Sequence, residues 1–135
     1  MSNIEKIDKL LTESEVFYLA TLDGDVPKCR PIGFHMLKDN KIYFGIGTFK
    51  DVYKQLQANP NLEISAWNGD KILRYYGKAK FDNSEELLEE TYELMQEIAE
   101  LYKANNWEMG IFYIDDATAE IRNMMEVENI YKFKY

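Results

Sequence analysis

The sequence predicts a mainly β protein, an antiparallel β-barrel with two or three appended helices. Six to eight short runs of apolar, β-branched and aromatic residues follow one another, and tight turn signals join several of them. These strand-like runs outnumber the helical ones and do not alternate with them, which argues against a parallel doubly wound sheet. Ten Tyr and seven Phe also favour β structure.

Length and charge narrow the class of protein further. The 135 residues suit one domain, so residues 1–135 are predicted to form a single unit. The net charge of −8 argues against a nucleic-acid partner, although much of the acidity lies between Glu85 and Glu108 and leaves room for an anion site elsewhere. No apolar stretch is long enough to cross a membrane, and the first residues lack a secretory pattern. We therefore expect a cytoplasmic protein.

The first third of the chain predicts a helix followed by an antiparallel meander. Ser2 and Glu5 form a capping-box pattern, and the apolar residues behind them recur at helical spacing. Three β-rich runs follow, joined by turn signals at residues 23–25 and 39–40. The predicted strands are Val16–Leu22, Lys28–Leu37 and Lys41–Ile46.

The middle of the chain predicts a short helix and a hairpin. The helix runs from about Lys50 to Ala58 and ends near Asn59, because the residue before Pro60 disfavours helical geometry. Asn68-Gly69 is a strong hairpin signal. The strands that it joins are Leu62–Trp67 and Lys71–Phe81.

The last third predicts one long helix, a second hairpin and a final strand. Asn83 and Ser84 offer a helix cap, and apolar residues between Leu87 and Tyr102 recur at three- and four-residue spacing, with glutamates at other angles. A hairpin around Asp115-Asp116 is predicted to join two more strands. These strands are Met109–Ile114 and Ala117–Met124, and the tail Ile130–Tyr135 could add another.

A candidate anion site lies between the strand that ends at Ile46 and the short helix. Gly45 and Gly47 let the backbone approach a ligand, and the start of the helix presents unpaired N–H groups and a positive dipole end. The hydroxyl of Thr48 and the cation of Lys50 could complete a phosphate site. The alternative, which these residues alone favour, is a Thr48 that only caps the helix and a solvated Lys50.

Arg30 is a second candidate. On an alternating strand its face also carries Lys28, Ile32, Phe34 and Met36. Partial burial of the guanidinium would demand an anionic partner, and a phosphate would match its fork. Pro31 cannot donate to a strand ladder, so it indicates an edge, a bulge or a break. A surface salt bridge is an equally good explanation of Arg30.

A third candidate is Arg74 on the strand that follows Trp67. Its face of the predicted strand also carries Tyr76, Lys78 and Lys80. Plain solvent exposure is the favoured interpretation of this basic face. The sharper hypothesis is a basic, aromatic wall of a ligand cleft or a dimer cleft.

His35 is the only histidine and lies six residues after the only cysteine, Cys29, so the two could share a strand face. A catalytic pair is conceivable, but no nucleophile motif accompanies His35, and two ligands are too few for an ordinary zinc site. We expect Cys29 to be a packed thiol. The sequence assigns no catalytic residue and no metal site.

The stretch Lys41–Trp67 resembles the pyridoxamine 5′-phosphate oxidase-like split barrels, and among them the small nitroimidazole-resistance and general-stress types. The segments Lys28–Pro31, Ile72–Ala79 and Ile111–Ala119 continue the similarity, which covers nearly the whole chain. The part from Lys50 to Pro60 is the most specific.

The resemblance implies a six-stranded antiparallel split barrel of Greek-key type, a homodimer, and flavin mononucleotide (FMN) at the subunit interface. Arg30 and Lys50 would meet the flavin phosphate, and the backbone from Ile46 to Thr48 would lie near the ribityl chain or the ring. Relatives commonly carry threonine at position 46 and an amide at position 48, so one hydroxyl contact is lost or moved here. Other implied positions near the cofactor or the dimer cleft are Pro31, Gly47, Gln55, Trp67 and Arg74.

The implied activity is a flavin-dependent reduction or oxidation of a small molecule, with NADH or NADPH as a reductant. Oxidation of vitamin B6 is not expected, because the chain lacks a match to the substrate-binding tail of the true oxidases. One alternative is a flavin-binding sensor or carrier without turnover. Another is a barrel that binds a deazaflavin or haem. His35 is the only histidine that could ligate the haem iron.

Overall fold

One antiparallel sheet of eight strands and four helices make up the computed structural model, which describes residues 1–135. The strands are β1 (Phe17–Asp23), β2 (Val26–Ile32), β3 (Met36–Lys38), β4 (Lys41–Gly47), β5 (Asn61–Trp67), β6 (Ile72–Phe81), β7 (Met109–Arg122) and β8 (Val127–Phe133). The helices are α1 (Asn3–Ser14), α2 (Asp51–Ala58), α3 (Glu85–Leu94) and α4 (Gln96–Ala104). The predicted mainly β, split-barrel class is confirmed, with eight strands instead of six.

The sheet runs in the order β2-β1-β5-β6-β7-β4-β3 and does not close on itself, and β8 pairs with β7 beside this path. The pairs β1–β2, β3–β4 and β5–β6 are local hairpins, whereas β1–β5 and β4–β7 join distant parts of the chain. Strand β7 connects the two halves, because it pairs with β4, β6 and β8. No helix is long and apolar enough to cross a membrane.

The larger of two apolar clusters lies against one face of the sheet and is covered by α1. Ser2 caps this helix as predicted, since its Oγ accepts from the Glu5 N–H at 3.3 Å and the Glu5 side chain accepts from the Ser2 N–H at 3.2 Å. The four apolar residues at helical spacing are all buried and are Ile4, Ile7, Leu10 and Leu11. They pack with alternate residues of β1, β4, β5 and β6 in one cluster, so burial of this apolar face stabilises the fold.

The predicted strand Lys28–Leu37 is wrong, because the chain leaves the sheet between β2 and β3. Strand β2 is an edge strand, and Pro31 lacks an N–H for a further ladder bond. Residues 33–35 then turn away, and His35 reaches α1. The single strand face predicted for Arg30, Phe34 and Met36 therefore does not extend beyond Ile32.

The predicted hairpin at Asp115-Asp116 is also wrong. These residues lie within the continuous strand β7, where Asp116 has a φ of 49° and the register with β6 shifts opposite Gly77. A Cβ at Gly77 would lie 2.7 Å from the Asp115 carbonyl oxygen. The turn-like residues thus form a bulge that bends β7, and a long strand replaces the two short ones.

Two further boundaries differ from the prediction. The single helix through Leu87 and Tyr102 is broken at Met95, whose φ of −132° and ψ of 55° are not helical. The break lets α3 and α4 each bury residues against the sheet, Leu87 and Thr91 from the first and Ala99 and Tyr102 from the second. The last strand begins at Val127, earlier than predicted.

Candidate functional site

Arg30 of β2 lies directly opposite Leu19 of β1, and its guanidinium reaches the buried side chain of Thr21. Its Nη1 donates to Thr21 Oγ1 at 2.6 Å and to the Leu19 carbonyl oxygen at 3.2 Å, and its Nη2 donates to Gln55 Oε1 at 2.9 Å. Thr21 Oγ1 also donates to Gln55 Oε1 at 2.6 Å, and Thr21 is buried. The guanidinium is therefore held by β1 and α2 through neutral acceptors only.

Two N–H donors of Arg30 have no acceptor within the protein. A guanidinium carries five donors, of which three are used, so the Nε–H and one Nη2–H remain. None of the salt bridges includes Arg30. Burial lowers the pKa of Arg30, an effect opposed by the neighbouring Cys29, yet a guanidinium stays charged at neutral pH. This half-buried cation lacks an anionic partner.

Lys50 is the residue before the first turn of α2 and makes no salt bridge. It lines a cleft of about 530 Å³ together with Arg30, Lys28 and Pro31, while Asp23 and Asp51 add two carboxylates to the same cleft. The first amides of α2 have no intrahelical acceptor. Three cations and a helix start therefore converge here, which favours an anion despite the two acids.

A second cleft of about 260 Å³ adjoins the first and shares Arg30, Pro31, Lys50 and Val52 with it. Most of its other walls are apolar or backbone, and they include Ile32, Phe34, Ile46, Gly47, Met95 and Ile98. A polar, cationic end therefore leads into an apolar groove that passes along the end of β4. Such an arrangement suits a ligand with a phosphate at one end and a flat apolar group at the other.

A family model described as pyridoxamine 5′-phosphate oxidase matches residues 4–124 of this chain. The chain belongs to the pyridoxamine 5′-phosphate oxidase family. This membership confirms the resemblance seen in the sequence. A search of curated proteins found no match.

Solved structures repeat the fold of this family member. A NimC/NimA family protein from Clostridium acetobutylicum is 25% identical, covers 98% of this chain and 95% of its own, and has a TM-score of 0.87. General stress protein 26 from Bacillus anthracis is 14% identical over 98% of this chain and 100% of its own, with a TM-score of 0.70. A heme binding protein from Mycobacterium smegmatis is 12% identical over 98% of this chain and 58% of its own, with a TM-score of 0.68.

Six of the predicted site residues line the two adjoining clefts of this pyridoxamine 5′-phosphate oxidase family member. They are Arg30, Pro31, Ile46, Gly47, Lys50 and Gln55. Thr48 lines a different cleft, and its N–H and Oγ1 donate to the Glu108 carbonyl oxygen at 2.9 Å and 3.3 Å. It does not cap α2, whose N-cap is Lys50, so the helix-cap alternative for Thr48 is wrong.

Trp67 and Arg74 lie on the exposed faces of β5 and β6, opposite the buried residues of these strands, and neither lines the two clefts. Trp67 ends β5 with 63% of its surface exposed. Arg74 donates from Nε and Nη2 to the Glu63 carboxylate at 3.1 Å and 2.9 Å. In the single chain, Arg74 is thus paired with Glu63 and does not contribute to the cluster of cations around Arg30.

The structure does not bring His35 and Cys29 together. His35 Nδ1 lies 2.7 Å from Asp8 Oδ1, and its Nε2 lies 3.2 Å from Thr12 Oγ1, so both ring nitrogens contact α1. Cys29 is exposed. It pairs with Ala20 of β1 and lies on the face of the β1–β2 hairpin that is opposite to Arg30. The expectation of a packed thiol is wrong, because no other part of the chain covers this side of the edge strand.

Sequence reasoning missed Thr21, which holds both Arg30 and Gln55. A signal existed in the pattern of β1, where Phe17, Leu19 and Thr21 alternate on the buried face. A hydroxyl at a core position needs a partner. That requirement could have indicated a polar neighbour on the adjacent strand.

Proposed function

We propose that this chain is a cytoplasmic flavoprotein that holds FMN by its phosphate in the Arg30–Lys50 cleft and acts as an FMN-dependent oxidoreductase on a small molecule. The observation that carries this proposal is the unused pair of N–H donors on a fixed, half-buried Arg30. A phosphate accepts two parallel N–H bonds from such a fork. Lys50 and the first amides of α2 add positive potential at the same place.

The groove beside the phosphate site would hold the rest of the cofactor. Its backbone at Ile46 and Gly47 borders the cleft that continues from Arg30 and Lys50, and Phe34 and Met95 supply apolar walls. We assign the ribityl chain and the flavin ring to this groove. FMN, when bound, would supply the electron transfer, and the chain supplies binding and a controlled electrostatic environment.

The proposal includes a homodimer with the cofactor at the subunit interface. Ile98 of α4 lines the groove and is 38% exposed in the single chain. Leu94 at the end of α3 and Leu101 of α4 are also exposed, at 65% and 48%. A second copy would cover this surface and complete the wall of the groove. Light scattering of the purified protein should give twice the mass of one chain.

The cofactor proposal is tested by the absorbance spectrum of the purified protein, followed by mass identification of the bound molecule. We expect a flavin spectrum and a mass equal to that of FMN. A colourless protein that does not bind added FMN would refute the proposal. A Soret band would favour haem instead, as in the M. smegmatis heme binding protein, although both His35 ring nitrogens are already hydrogen bonded here.

Turnover is tested separately from binding. NADH or NADPH should bleach the flavin without oxygen, and a small electron acceptor should restore the colour. A flavin that neither reductant bleaches would leave the sensor or carrier function as the better description. The chain supplies no clear acid–base residue at the groove, so we assign the residues there to binding and not to proton transfer.

A further inference from the structure

A third cleft, of about 370 Å³, lies between the start of α3, the start of β7 and the turn from β4 to α2. We call it the aromatic cleft and define it by five of its lining residues, which are Tyr53, Tyr92, Trp107, Asp82 and Glu108. Every charged side chain that lines it is a carboxylate, and no Lys, Arg or His does so. It is separate from the proposed phosphate cleft, with which it shares no lining residue.

Two of the three rings of the aromatic cleft, those of Trp107 and Tyr53, pack against aromatic neighbours outside it. Trp107 stacks on Phe49 with ring centroids 4.5 Å apart and an angle of 24° between the planes, and Tyr102 meets it edge-on at 5.7 Å. Tyr53 packs edge-on against Phe81 at 5.1 Å. Because these walls are fixed before a ligand arrives, little conformational freedom is lost on binding.

The two carboxylates differ in how they are used. Asp82 Oδ1 accepts from the Ser84 N–H at 3.1 Å, so this acid is engaged with the start of α3. The Glu108 carboxylate takes part in no hydrogen bond or salt bridge, while the Glu108 carbonyl oxygen accepts two bonds from Thr48. The backbone of Glu108 is thus fixed at the cleft, and the negative charge of the Glu108 side chain has no cationic partner within the chain.

The electrostatic setting of Tyr92 agrees with this description. Burial raises the pKa of Tyr92, and the negative charge of Glu108 raises it further. The ammonium of Lys103 lies 5.8 Å from the Tyr92 ring centroid, but Lys103 does not line the cleft. The negative potential inside the cleft therefore has no internal counter-charge.

We propose that the aromatic cleft is a binding site for a small organic cation, a quaternary or protonated amine. Aromatic faces and carboxylates both attract such a group, and cages of aromatic rings are its characteristic binding sites. Glu108 is exposed, so its carboxylate would repel an anionic ligand and would gain no charge interaction with a neutral one. The inference concerns a site beside the flavin groove and does not depend on whether FMN binds.

The test uses the full-length protein with Trp67→Phe, so that Trp107 is the only tryptophan and its fluorescence reports the cleft. Choline and benzyltrimethylammonium serve as probes, and 3,3-dimethylbutan-1-ol serves as the uncharged molecule with the shape of choline. We expect the cations to quench Trp107 saturably and choline to bind about tenfold more tightly than the alcohol. Calorimetry on the unmodified chain should give the same affinities.

Two charge-matched variants locate the site. Glu108→Gln should weaken choline binding about threefold to tenfold, and Glu97→Gln, an exposed change on α4 outside the cleft, should leave it unchanged. Absence of saturable binding by both cations would overturn the proposal. So would equal binding of choline and the alcohol, or equal losses in the two variants. Choline binding should survive Arg30→Met, so a failure of the flavin proposal can be recognised separately.

Discussion

Replacing Arg30 with methionine removes the guanidinium fork while keeping an unbranched, though shorter, apolar stem. Two N–H donors of Arg30 are available to a phosphate, and hydrogen bonds to charged groups contribute about 1.5–3 kcal/mol each. Arg30 is only partly buried, so we take the lower value for each bond. The loss is then about 3 kcal/mol, or roughly a hundredfold weaker affinity for FMN.

Riboflavin, which has the same ring and ribityl chain but no phosphate, separates this effect from general damage. Titration of each flavin into protein stripped of cofactor, followed by flavin fluorescence, gives both dissociation constants. Arg30→Met should weaken FMN about a hundredfold and leave riboflavin nearly unchanged. Lys71→Met is the matched control, because it removes one cation that is paired with Glu128 at 2.6 Å and lies outside both clefts.

The same substitution has a cost in stability that must be measured alongside. After the substitution, Gln55 Oε1 still accepts a hydrogen bond from the Thr21 hydroxyl, so this buried acceptor keeps a donor. We expect the free energy of unfolding in urea to fall by about 1–2 kcal/mol from the lost Arg30 bonds. If Arg30→Met weakened FMN and riboflavin equally, or left FMN binding intact, the assignment of the phosphate to Arg30 would be refuted.

Three more predictions follow from individual contacts. Lys50→Met should weaken the affinity for FMN about tenfold, because one ion contact with the phosphate is lost. The urea midpoint should not move, since Lys50 is exposed and makes no salt bridge. A large shift of the midpoint would contradict this prediction. Gly77→Ala should lower the free energy of unfolding in urea by about 1–3 kcal/mol, because its Cβ would lie 2.7 Å from the Asp115 carbonyl oxygen. The hydrogen bond from the Tyr76 hydroxyl lowers the pKa of Glu120 from its ordinary 4.5. The ionised Glu120 therefore stabilises the fold above pH 4.5, and this contribution is lost as the pH falls through the lowered pKa. Glu120→Gln should make the urea midpoint depend less on pH in that acidic range.

The sequence predicted those elements whose signals are local. The capping box at Ser2 and Glu5 and the hairpin turn at Asn68-Gly69 both need only neighbouring residues, and both are present. The alternation of β6 was also readable, since Leu73 and Tyr75 are buried while Arg74 is exposed.

Elements that depend on distant contacts were not predictable in this way. Asp115-Asp116 has turn composition, yet β6 pairs with β7 on both sides of it, so the two residues form a bulge within one strand. The break at Met95 follows no Gly or Pro, and buried residues lie on both sides of it, in α3 and in α4. The contact of His35 with Asp8 likewise depends on where α1 lies.

The two candidate arginines show how cross-strand neighbours decide which cation is available to a ligand. Arg74 lies on β6, which pairs with β5 on one side and β7 on the other, and it binds the carboxylate of Glu63 on β5. Arg30 lies on an edge strand whose neighbour offers only Leu19 and Thr21, and α2 adds the neutral Gln55. Neutral acceptors fix the guanidinium without cancelling its charge, whereas a carboxylate does both. An anionic ligand can therefore bind at Arg30 without first displacing a protein anion, and at Arg74 it must compete with Glu63.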